Sequence, residues 1–79
     1  MKKIELTKMD SGSEGTVVEI YGGQGLKKKL EVLGIRPGVK ITKVSSLIMR
    51  GPVIIKVGNT RVALGFGMAS RILVESEEN

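Results

Sequence analysis

The stretch that decides the fold is Tyr21–Gly38, YGGQGLKKKLEVLGIRPG. Leu26, Leu30 and Leu33 recur at i, i+4 and i+7, the spacing of one apolar stripe along an α-helix. Lys27, Lys28, Lys29 and Glu31 fill most of the other positions. Gly22, Gly23 and Gly25 loosen the start of the helix. Gly34 follows the last leucine, where a left-handed residue is expected, and Ile35 is placed to fold back on Leu30 or Leu33 as in a Schellman cap. Arg36-Pro37-Gly38 then reads as a tight turn, because proline presets φ at the second position and glycine accepts a positive φ at the third. The spacing predicts one helix of about 8–11 residues, clamped at its C-terminal end.

Everything on either side reads as short strands. Lys3–Lys8 alternates loosely, with Ile4, Leu6 and Lys8 on one parity, as in a short edge strand leading to Met9. Asp10–Gly15 is turn chemistry. Thr16–Tyr21 is β-branched, with Val18 and Ile20 expected on one face. After the helix, Val39 and Ile41 alternate with Lys40 and Thr42, and Lys43-Val44 breaks the parity, which suggests a bulge that bends the sheet. Ser45–Gly51 reads as a loop or irregular hairpin end. Pro52–Val57 is a strand with Val53, Ile55 and Val57 on one face. Gly58-Asn59 is a two-residue hairpin signal, and Thr60–Leu64 returns with Val62 and Leu64 inward. Gly65–Arg71 has room for a single turn. Ile72–Glu75 is a last strand, with an acidic tail at 76–79 expected to fray.

The pattern is mainly β: about five strands and one inserted helix, in a single domain over 1–79. So small a sheet avoids exposed edges by closing on itself, which a small SH3-like barrel does. A lone helix does not suit a parallel βαβ arrangement.

Composition narrows the function. The formal charge is +5 over 79 residues. With Glu75, Glu77 and Glu78 set aside, residues 1–74 carry 13 basic groups against 5 acidic ones, a formal +8. Such a body attracts acidic partners of any kind: nucleic acid, an anionic membrane surface or an acidic protein. The chain has no His and no Cys, so it cannot build a nitrogen- or sulfur-ligated metal site or use the commonest general bases and nucleophiles. No catalytic, cofactor-binding or metal-binding residues are assigned, and an enzyme is not expected. The start has charge but no apolar core of a secretory signal, and the apolar runs are far shorter than the ~18 residues that span a bilayer. A soluble, cytoplasmic chain is expected.

Each motif has a plain structural reading beside a functional one. Gly22-Gly23-Gln24-Gly25 lacks the GK[ST] of a phosphate loop and reads as a flexible helix start. Asp10, Glu14 and Glu19 read as turn and strand acids rather than a hard-metal site. Lys27-Lys28-Lys29 is either a solvated helix face or a contact for an acidic partner. Tyr21 and Phe66 are the only aromatics, too few for the base stacking of a nucleic-acid-binding barrel of this size, which stays as an alternative. Val32 lies roughly 200° round the helix from Leu30. Leu47-Ile48-Met49 form a short apolar loop that is either tucked under a barrel rim or a docking patch. The candidate partner-binding residues are Lys27, Lys28, Val32, Arg36, Leu47, Ile48, Met49 and Arg50. Arg36 and Arg50 are also candidates for an arginine finger in a partner's GTPase site. Self-association is left open.

Taken together, the spaced motifs resemble a known family. Leu6 and Met9, then Gly12, Gly15 and Val17, then Leu30-x-x-Leu33-Gly34-Ile35-x-Pro37-Gly38, Gly51-Pro52-Val53, Val57-Gly58, Ala63-Leu64 and Ala69-x-x-Ile72-x-Val74 look like the FeoA (ferrous iron transport protein A) family. The resemblance covers nearly the whole chain, and LGIRPG and ALGFGMASRILV are its specific parts. It implies an SH3-like barrel and a small cytosolic accessory of a ferrous iron transporter. Such an accessory acts on the transporter's cytosolic G-protein domain and reaches the membrane only through that partner. A similar domain ends some iron-dependent repressors, so a stand-alone relative of that repressor domain is the alternative. Without His or Cys, the chain is expected to act by protein contact rather than to carry iron.

Overall fold

The computed structural model describes residues 2–46 and 51–76. The elements in chain order are β1 (Lys2–Glu5), a 3-10 turn (Leu6–Lys8), β2 (Glu14–Ile20), α1 (Gln24–Val32), β3 (Lys40–Ser46), β4 (Val53–Val57), β5 (Thr60–Leu64), α2 (Phe66–Ala69) and β6 (Ile72–Ser76). The six strands form one antiparallel sheet in the order β1-β6-β2-β3-β4-β5. This is the mainly β, SH3-like small barrel expected from the sequence, with the helix inserted between β2 and β3. Among the described residues there are six strands rather than about five, because Lys2–Glu5 pairs along β6 from Lys2↔Ser76 to Glu5↔Leu73. Leu6–Lys8 leaves that strand as a 3-10 turn instead of continuing it, and Leu6 becomes fully buried.

One core fills the curve of the sheet. Leu6, Val17, Leu30, Ile35, Ile41, Ile55, Ile72 and Val74 are all at most 1% exposed. Each contributes about 1.5–3 kcal/mol by leaving water. Leu30 is the helix residue at the centre of this core, with Leu26 packed partly against it. Leu33 departs from the expected stripe. It is the C-cap residue, with φ −84° and ψ 1°, and the chain turns away there, leaving it 40% exposed. Its place is taken by Ile35, which is completely buried.

The cap that performs this exchange is a Schellman motif. The Ile35 amide donates to the Leu30 oxygen at 2.9 Å and the Gly34 amide to the Glu31 oxygen at 2.9 Å, with Gly34 at φ +87°. These are the paired bonds that satisfy orphan carbonyls at a helix end. Arg36–Val39 follows as a type II pattern: Val39 donates to the Arg36 oxygen at 3.2 Å and Gly38 has φ +98°. The turn is fixed to β2, since Gly38 donates to the Val17 oxygen at 2.7 Å and Val17 to the Val39 oxygen at 2.8 Å. The β4–β5 hairpin turns at Gly58-Asn59, with Gly58 at φ +61° and Val57 opposite Thr60. Gly65–Arg71 makes the expected single turn.

Two bulges bend the sheet. The one in β3 falls where the parity breaks, between Lys43 and Ser45 against β4. The other lies in β2, between Val17 and Glu19 against β6. It inserts Val18 as an extra residue, so Val17 and Ile20 are buried and Val18 only partly so. The expected Val18/Ile20 face is therefore corrected to Val17/Ile20. Ser76, placed in the tail on sequence grounds, ends β6 instead: it pairs with Lys2 and Gly15 and is buried. Residues 77–79 lie outside the described residues.

Candidate partner-contact surface

The predicted contact residues on α1 divide between two faces. Lys28 and Val32, one helical turn apart, lie on the outer face, where both are exposed and Val32 is 81% so. Lys27 and Glu31, likewise one turn apart, lie on a flank that faces the end of β2. Here Lys27, Glu31, Glu19, Ile20 and the segment Ile35–Pro37 line a cleft of about 250 Å³. The structure thus brings Lys27 and Arg36 into one site and leaves Lys28 and Val32 beside it. Leu47, Ile48, Met49 and Arg50 lie outside the described residues.

Local sequence explains how the cleft forms. The bulge at Val18 turns Ile20 inward at the end of β2 and Glu19 outward. The Schellman cap drives Ile35 into the core, and the proline turn then sends Arg36 and Pro37 back to the surface. The floor is therefore apolar (Ile20, Ile35, Pro37) and the rim is charged. Among the described residues, Lys27 and Arg36 form no ion pair. The α1 N-terminus has no side-chain cap and no acid in its first turn. Neither feature helps the helix, because a capping side chain and a first-turn carboxylate would each stabilise it.

The carboxylates considered for a metal do not converge. Glu14 and Glu19 sit at opposite ends of β2, and Glu14 approaches Lys40 at 4.0 Å on an exposed face. Two other depressions are polar: one of about 200 Å³ at Lys8, Asp10 and Ser76, and one of about 300 Å³ at Lys40, Thr42 and Lys56.

The buried Lys43 has no counterpart in the sequence reading. It is 2% exposed, and its Nζ donates to the main-chain oxygens of Met9 (2.7 Å) and Thr7 (3.1 Å). Its own amide donates to the Ser13 oxygen at 2.9 Å, and its oxygen accepts from the Gly12 amide at 2.6 Å. One residue thereby holds the crossover from β1 to β2. Burial pushes its ammonium below the ordinary 10.5, and Asp10 nearby opposes part of that shift. Cleft residues Glu19, Ile20, Glu31, Ile35 and Pro37 were also missed. The available signal was Ile35-x-Pro37 on either side of Arg36, but the opposite wall comes from α1 and β2.

Comparison with known proteins agrees with this architecture. The model of the FeoA domain matches residues 4–76. A protein of Methanocaldococcus jannaschii that carries the provisional name Fe(2+) transport protein A is 36% identical over 67 residues, 85% of this chain and 79% of that protein. The crystal structure of an iron uptake regulatory protein (FeoA) superposes with a TM-score of 0.87 at 38% identity, covering 96% of this chain and 99% of the other. A manganese-dependent transcriptional repressor shares the fold at TM-score 0.86 and 21% identity, with 94% of this chain matching 41% of the repressor. The family model and the two relatives above 30% identity, each matched over most of its length, show that this chain belongs to the FeoA family.

Proposed function

We propose that this chain is a cytoplasmic, non-enzymatic accessory of ferrous iron uptake that works by protein contact with the cytosolic G-protein domain of a ferrous iron transporter. One observation carries the reading. A basic and apolar surface, formed by Lys27, Arg36 and the cleft floor and continued by Lys28 and Val32, stands exposed on the one helix of more than four residues among the described residues. An 81% exposed valine one helical turn from Lys28 adds little to this fold, whereas exposed apolar groups rimmed by charge suit a protein interface. The Fe(2+) transport and iron uptake named for the two relatives supply the physiological setting.

The chemistry favours contact over iron carriage. Ferrous iron held tightly by a small protein calls for imidazole or thiolate, or for several converging carboxylates. The chain has no His or Cys. Among the described residues, no three acidic groups come together. No helix among those residues is long and apolar enough to cross a membrane, so the partner would supply the membrane attachment. The test is an amide-shift titration of labelled protein with the transporter's cytosolic domain, bound to GDP and to a non-hydrolysable GTP analogue. Saturable shifts on α1 and at Ile35–Arg36 are expected with at least one nucleotide state. No shifts with either nucleotide would overturn the reading.

A further inference from the structure

The cleft has a size and lining that point to a particular kind of ligand. At about 250 Å³ it falls below the ~300–1,000 Å³ range of small-molecule sites and exceeds the ~150 Å³ that accommodates one benzene ring. It therefore suits a single branched aliphatic side chain with part of its backbone. Pro37 gives that side chain an exposed apolar seat, with Ile20 and Ile35 forming the buried layer beneath it. Lys27 stands on the α1 wall and Arg36 on the turn.

The charges lining the seat balance, Lys27 and Arg36 against Glu19 and Glu31, and the net positive sign comes from Lys28 and Lys29 beside it. Lys27, Lys28, Lys29 and Arg36 supply four cations on α1 and the turn, against the two carboxylates Glu19 and Glu31. Lys27 and Arg36 are exposed and form no ion pair among the described residues. A carboxylate arriving there gains a charge-assisted hydrogen bond, bidentate if it meets the guanidinium. Glu19 and Glu31 repel the same carboxylate, so they restrict where it settles and oppose a wrong register.

We infer that this cleft is the seat for an acidic peptide segment, which rests one aliphatic side chain on Pro37 over the buried Ile20 and Ile35 and places flanking carboxylates on Lys27 and Arg36. The inference rests on reading the chain as a protein-contact module and gives that contact a chemistry: the matching stretch of the partner is acidic with a Leu- or Ile-like anchor. The lysine face then serves encounter, since Lys28 and Lys29 extend the positive field without lining the seat.

The test uses the full chain, isotopically labelled, and three short probes: acetyl-Glu-Glu-Leu-Glu-Glu-amide, the same peptide with Ala for Leu, and acetyl-Lys-Lys-Leu-Lys-Lys-amide. The first is expected to give saturable amide shifts at Ile20, Lys27, Ile35 and Arg36. The Ala peptide should bind about tenfold more weakly, and the lysine peptide should leave these amides unmoved. Arg36→Glu should abolish the shifts. Should that variant fold poorly, Lys27→Ala should still weaken binding about threefold to tenfold, with the unliganded spectrum retained.

Three results overturn the inference: shifts confined to other surfaces, equal response to the acidic and lysine peptides, or concentration-dependent cleft shifts without peptide accompanied by a dimer in sedimentation, which would make a second copy the occupant. The transporter's G-protein domain is titrated in parallel. If it binds without competing with the acidic peptide, the cleft inference falls and the contact reading stands. If the peptide seats in the cleft and the domain does not bind, the inference stands and that choice of partner falls.

Discussion

Lys43 Nζ donates to the main-chain oxygen of Met9 at 2.7 Å, joining β3 to a turn 34 residues earlier. With the second bond to Thr7, an ammonium group ties residues 7–9, which lie outside the strand pairing, to β3. Lys43→Met keeps most of the apolar stem but leaves both carbonyls without their donor. A loss of about 1–3 kcal/mol is expected, because buried acceptors stripped of partners bear their full desolvation cost. Urea unfolding of both proteins at neutral pH measures it.

The same residue sets a pH dependence. Burial holds the folded Lys43 below 10.5, its value in the unfolded chain, so between those two values the unfolded state binds more protons and stability rises with pH. Lys43's contribution is therefore most favourable above 10.5 and is lost as pH falls through the folded value. The stability gap between the parent and Lys43→Met should widen from pH 8 toward pH 10.5, as read from urea midpoints. A narrowing gap would mean that burial does not destabilise the charged form.

Three glycines should fail for two different reasons. Gly34 holds φ +87°, and an added Cβ meets Val57 at an ordinary 3.6 Å. Gly34→Ala should therefore cost only the left-handed penalty, about 1–2 kcal/mol. Gly38, at φ +98° with open space around it, should behave alike. At Gly15 an added Cβ collides with the Val74 side chain and lies 2.8 Å from the Glu75 oxygen. Main chain cannot yield as a side-chain tip can, so Gly15→Ala should cost about 2–3 kcal/mol or more. Thermal unfolding should rank Gly15→Ala as clearly the worst.

Helix α1 shows what was legible in the sequence. Its extent, its Schellman cap and the proline turn follow from local spacing and from two glycines that must take positive φ. The β3 bulge was legible for a similar reason, because Lys43-Val44 visibly breaks an alternating pattern. The β2 bulge was not, since Val17 and Val18 are both apolar and either parity is acceptable. Leu33 shared the leucine spacing of the buried stripe, but the chain reverses at that residue. Lys43 looked like a surface charge because the carbonyls that accept it come from a distant turn. The cleft was hidden in the same way: its walls come from three segments, and only Arg36 and Lys27 stood out as isolated charges.

Val32 separates folding from contact. At 81% exposure, Val32→Asp should cost no more than about 1 kcal/mol, the effect of a carboxylate at the exposed last residue of a helix. It should nevertheless weaken binding of the transporter's cytosolic domain about threefold to tenfold by placing an unpaired charge in the contact. Calorimetry on parent and variant reads the affinity, and thermal unfolding reads the fold.

The central claim is that α1 is the contact element and that its lysines serve the partner rather than the fold. The most direct measurement is the affinity of the chain with Lys27, Lys28 and Lys29 all reversed to Glu for the transporter's cytosolic G-protein domain, taken alongside the variant's unfolding curve. Stability should stay within about 1 kcal/mol of the parent, because all three side chains are exposed and a carboxylate replacing Lys29 in the last turn of an exposed helix costs at most about 1 kcal/mol. Affinity should fall by at least about tenfold, with a weaker dependence on salt. A stably folded variant that binds the domain as tightly as the parent would contradict the account.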